Sequence, residues 1–136
     1  MASIKTIRDG LKTRLATIPG LRVYDTVPGT INPPAAVLTL ESVTYDSTFS
    51  RGSDEVSFTA HVFTSVSSDD NQDTLFSFID GAGPRSVKAA VEGDVTLGGV
   101  AMYAVVTQAR APGITEFGGV EYHSVQFVIS VSVTGL

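Results

Sequence analysis

The chain has 136 residues, a net charge of −5 and no cysteine, a length that suits one domain burying roughly 68% of the surface its unfolded chain exposes. The missing cysteines exclude disulfides, thiolate metal sites and a cysteine nucleophile. The nine basic residues are scattered, with no two adjacent, which argues against a nucleic-acid stripe, and no apolar run approaches the roughly 18 residues that cross a bilayer.

Met1 to Ile18 mixes charges with isolated apolar residues, so no signal peptide is expected and the protein should fold in a cytoplasm. Ser3 is placed to cap a helix whose apolar positions, Ile4, Ile7, Leu11, Leu15 and Ile18, fall on one face. Gly10 should weaken that helix by about 1 kcal/mol relative to alanine, and Pro19-Gly20 should stop it. Leu21 to Asp25 reads as a short strand. Thr26 to Pro34, with Pro28, Gly29, Pro33 and Pro34, reads as a loop. From Ala35 to about Tyr45 the apolar phase runs through Leu38 and Leu40, then shifts to Val43 and Tyr45. This predicts a bulge near Glu41 and Ser42.

Asp46 to Asp54 reads as a long hairpin loop. Glu55 to Phe63 alternates, with Val56, Phe58, Ala60 and Val62 on one side. Ser67-Ser68-Asp69-Asp70 is a helix start, with acids placed to meet the helix dipole, and Leu75, Phe76 and Ile79 are its expected apolar face. Pro84 should open a short helix that buries Val87, Ala90 and Val91. Gly98-Gly99 should turn the chain into a strand from Val100 to about Arg110, and Ala111 to Gly119 reads as a glycine-rich connection. Val125, Phe127, Ile129, Val131 and Val133 mark the inward face of a last strand, Glu121 to Thr134. The expected fold is a single α+β domain over 1–136, a small, mostly antiparallel sheet with two or three helices on one face. The serine- and threonine-rich side of the last strands should be wet or lightly covered.

Chemical sites are poorly represented. His61 and His123 belong to no HExxH pattern, and a zinc site from both requires neighbouring strands. There is no GxSxG elbow. Asp69-Asp70-Asn71-Gln72-Asp73 lacks the central glycine and terminal glutamate of a calcium loop. Pro28-Gly29-Thr30 and Gly98-Gly99 are followed by no GKS or GKT. No catalytic residue, metal or cofactor is therefore expected.

Three patterns together resemble the tail terminator proteins of long-tailed bacteriophages. They are the amino-terminal helix ending in Pro19-Gly20-Leu21-Arg22-Val23 before a proline-rich loop, Arg51-Gly52-Ser53-Asp54 leading into an alternating strand, and Gly83-Pro84-Arg85-Ser86-Val87-Lys88-Ala89-Ala90 with Gly98-Gly99 after it. The resemblance implies a virion structural protein without enzymatic activity, assembled in the host cytoplasm as a ring, usually a hexamer, on the head-proximal end of the tail tube. Its partners would be other copies of itself, the tail tube protein and the head–tail connector, with DNA passing unbound through the lumen and no membrane involved. A charged fraction of 17%, below the roughly 25% of average soluble domains, suits a subunit largely covered by its neighbours. An acidic lumen would repel DNA phosphates.

Loops between rigid strands are natural contact points along the tube axis. The candidate interface residues are Phe49 and Arg51, with Asp54 and Glu55 beside them, and Phe117 in the later connection; aromatics and arginine are enriched at interface hot spots. The rival readings are a head–tail stopper or tube subunit of the same virion, a small hydrolase, and a ligand-binding domain.

Overall fold

The computed structural model describes residues 3–24, 29, 34–45, 53–65 and 70–134, without the side chains of Ser65, Asp70, Asn71, Gln72 and Phe117. The first helix, α1, spans Ile4–Leu15. The Ser3 Oγ accepts the Thr6 N–H at 3.2 Å and the Ser3 N–H donates to Thr6 Oγ1 at 2.9 Å, satisfying two of the donors a helix start leaves open. Ile7, Leu11 and Leu15 are buried, and Ile18 is buried in the turn that follows.

Five strands form one sheet: β1 (Arg22–Tyr24), β2 (Ala35–Thr44), β3 (Ser53–Ser65), β4 (Tyr103–Phe117) and β5 (Val120–Thr134), in the order β1-β2-β3-β5-β4. Among the described strands β1 pairs with β2 in parallel and the other pairings are antiparallel. The predicted bulge in β2 lies between Leu40 and Ser42. Val56, Phe58, Ala60 and Val62 of β3 and the five apolar residues of β5 from Val125 to Val133 all turn to the helix side, where they join one core. Two further helices, α2 (Asp70–Ile79) and α3 (Val87–Glu92), complete that layer. This is the α+β arrangement that the patterning predicts.

Four local expectations are corrected. The buried face of α2 uses Leu75 and Phe78, whereas Phe76 is 47% exposed, because α2 packs on β3 and β5 with the other side of the turn. The cap of α3 is Ser86, whose Oγ accepts the Ala89 N–H and donates to the Asp80 carbonyl. Pro84 lies in the turn before it. Val100 precedes the strand, since Leu97–Gly99 form a 3-10 turn and β4 begins at Tyr103. The expected connection from Ala111 is strand as far as Phe117, and only Gly118 and Gly119 turn the chain. Their φ values of 60° and 82° suit a two-residue hairpin whose central residues both need positive φ. Pro112 is tolerated because it falls in a register shift between Arg110 and Gly113 on an edge strand.

Candidate interaction surfaces

The helices cover one face of the sheet; among the described residues no helix packs on the other, here the bare face. On the bare face lie Ser57, Ser130, Ser132, Thr39 and Gln126, all half-buried by their neighbours, and Thr59, which is fully buried. The face is thus polar, as expected, but close-packed at its centre. At one end Phe63 and Tyr122 meet edge-to-face, with ring centroids 5.7 Å apart, and form a small second cluster with Ala35 and Val37.

His61 shares a hydrogen bond of 3.2 Å with Thr39 Oγ1 on this face. Burial holds its imidazole below the ordinary value; the Glu41 carboxylate pulls the other way, and Arg110 adds to the lowering. The unfolded chain therefore takes up the proton first. The stability that neutral His61 contributes is full above pH 6.5, its ordinary value, and is lost as pH falls below it. Urea unfolding of the wild type is expected to show this loss as pH falls below 6.5, and His61→Gln should flatten that part of the profile. An unchanged slope in the variant would assign the pH dependence to other groups.

β3 and β5 are neighbours, so the condition for a shared zinc site is met, yet the register defeats it. His123 pairs with Thr64 and His61 with Gln126. The two rings are three positions apart and project to opposite faces. Among the described residues no group of three or more histidines and carboxylates is placed to hold a metal ion.

The two flanks of the sheet are unlike. On one, β1 pairs with Ala35 to Val37 of β2, and among the described residues no strand pairs with the rest of that edge. Leu40 there is 47% exposed and Tyr45, just beyond, 69%; Glu41 between them is exposed. Leu40 keeps the helix-side phase of Leu38, but its flank lies outside the buried core.

On the other flank, α3 guards the edge of β4. The Val106 N–H donates to Glu92 Oε2 at 3.1 Å, and Lys88 Nζ reaches the Val106 carbonyl at 3.4 Å. Lys88 and Glu92 also pair with each other at 2.6 Å. Burial opposes ionisation of Glu92, but hydrogen bonds from Lys88 and the Val106 N–H outweigh it and hold the carboxyl below its ordinary range. Register shifts between Val106 and Gln108 and between Arg110 and Gly113, with Pro112 in the second, further blunt this edge against pairing. Beside the guard is an open groove of about 220 Å³ with Phe127, Val106, Ala109 and Ile79 along it and Lys88 at its rim.

Of the sequence-predicted contact residues, Phe49 and Arg51 lie outside the described residues, as does the side chain of Phe117, whose backbone ends β4 opposite Val120. Asp54 is buried on the helix side, opposite Val133. Glu55 is exposed on the bare face and accepts a hydrogen bond from Ser130 Oγ. Sequence reasoning missed the guard and the groove. The Lys88–Glu92 spacing was visible as a helical ion pair, but nothing in it pointed to Val106. A scan against protein-family models finds no match to this chain, and a search of curated proteins likewise finds none.

Proposed function

We propose that this protein is a structural subunit of a bacteriophage virion that forms a ring on the head-proximal end of a non-contractile tail, ends tube growth and presents the face that joins the head. The reading rests on the resemblance carried by the Pro19–Val23, Arg51–Asp54 and Gly83–Gly99 segments. The observation that carries it furthest is the one-sided sheet with two unlike flanks. A cyclic assembly joins subunits head to tail, so each copy must offer two different, complementary surfaces. Here one flank exposes the apolar side chains of Leu40 and Tyr45, and the other carries a groove beside a guarded strand. The bare polar face, with its serines and threonines, suits the lining of a passage, and the net charge of −5 disfavours DNA sticking as it passes.

The test is electron microscopy of lysates from phage lacking this gene. Overlong or ragged tails, separate from filled heads, are expected, and the purified protein added back should restore joining. Tails of normal length attached to heads would remove the terminator role.

A further inference from the structure

Both flanks of the sheet carry large exposed side chains at the same end of the strands. On the β2 flank Tyr45, the residue after Thr44, is 69% exposed. On the β4 flank Met102 and Tyr103, where that strand begins, are 57% and 48% exposed. We propose that the partner covering both patches is a second copy of the same chain, with Tyr45 of one copy packed on Met102 and Tyr103 of the next. This rests on the ring reading and names the surfaces that close the ring.

Three features of the molecule point to that occupant. The first is level. Thr44 pairs with Glu55, Glu55 with Ser132 and Ser132 with Tyr103, one row across the sheet. The Met102 N–H donates to the Ser132 carbonyl at 2.8 Å, which holds Met102 beside that row, and Tyr45 is one residue past it. The two patches therefore stand at the same height, and a rotation about an axis along the strands carries one to the other with little rise. Head-to-tail contacts close into a ring under that condition and otherwise grow into a filament. The second feature is chemistry. The patches are unlike but complementary, a phenol ring on one flank and a thioether with a second phenol on the other. Sulfur–aromatic and aromatic pairs are favourable contacts, and tyrosine and methionine are enriched in interfaces. The third is the build of the β4 edge. Ala104 is fully buried, and Glu92 and Lys88 take the outward N–H and C=O of Val106. A neighbour cannot continue the sheet there and has to approach through side chains, of which Met102 and Tyr103 are the large exposed ones beside it.

The test uses the full chain with the photoreactive p-benzoylphenylalanine in place of Tyr45, which keeps an aromatic ring at that position. The protein is irradiated with and without tail tubes, and the products are resolved on gels and mapped by mass spectrometry. Any product heavier than one chain joins copies. The expected result is a ladder ending at a closed species, with adducts on Met102 or Tyr103, and Met102→Lys should cut the product by about tenfold, the loss of one hot-spot contact. Without the photoreactive residue, Tyr45→Glu and Met102→Lys should each block assembly, as read by sedimentation on the same tubes. A mixture of the two variants should assemble, because each contact in an alternating ring is either the native one or the new glutamate against the new lysine. All three positions are exposed, so the variants should fold, which circular dichroism checks. Adducts near Tyr45 of the second copy would mean a two-fold contact and overturn the proposal. So would a mixture that fails to assemble, or the absence of a ladder both with and without tubes. If tails are capped while the ladder is missing, the interface is wrong and the terminator role stands. If the ladder forms while tails stay uncapped, the interface stands and the terminator role is wrong.

Discussion

Phe127→Ala is expected to destabilise the protein by about 3–5 kcal/mol, the usual cost of removing a buried aromatic ring, and to lower the melting temperature by about 10–20 °C for a domain of this size. Its ring is 1% exposed and lies on β5 between two alanines, Ala60 on β3 and Ala109 on β4. Large next to small on both sides means that no cross-strand neighbour is long enough to refill the space. The groove already reaches this ring, so the vacated volume opens to water instead of collapsing. Phe76→Ala is the control. That ring is 47% exposed on the outer side of α2, and its loss should move stability by less than about 0.5 kcal/mol. Urea melts followed by circular dichroism would measure both, with a constant m-value confirming that the effect is on stability alone. Equal costs for the two phenylalanines would contradict the observed packing of α2.

The same pair of phenylalanines shows where the sequence was legible. In β3 and β5 every second residue is apolar, and a period of two fixes the inward face without knowledge of what covers it. In α2, Leu75 and Ile79 are four apart, and either Phe76 or Phe78 completes a plausible stripe; only the position of β3 and β5 decides between them. β4 was cut short for a different reason. Pro112 and Gly113 read as loop, but a register shift absorbs them, with Ala111 at φ 53°, and the strand resumes. The guard on β4 was not legible at all. Glu92 and Val106 are fourteen positions apart, and no periodicity links a helix side chain to the outward N–H of one strand residue. The exposed apolar residues of the flanks are set by which strands end the sheet, an order that no local pattern carries.

Gly10 is where the sequence and the structure give opposite signs. On helix propensity, Gly10→Ala should stabilise α1 by about 1 kcal/mol. In the fold, a Cβ at this position would lie 2.9 Å from Leu97 Cβ and 3.2 Å from the Leu97 carbonyl oxygen, well inside normal contact. Leu97 is poorly placed to retreat. It is 4% exposed and sits at φ 51°, a conformation that costs a leucine about 1–2 kcal/mol. The turn around it is pinned by Asp94, whose carboxylate accepts the N–H groups of Thr96 at 3.2 Å and Gly98 at 3.0 Å. Overpacking of this kind costs about 1–3 kcal/mol, so Gly10→Ala should be net destabilising by about 1 kcal/mol and Gly10→Val by about 2–3 kcal/mol. The double variant Gly10→Ala, Leu97→Gly should cost less than the sum of its parts, because glycine at 97 removes the crowding Cβ and is at ease at positive φ. A stabilising Gly10→Ala would mean that the 94–99 turn yields freely, and that α1 is held by its Ile7, Leu11 and Leu15 face alone.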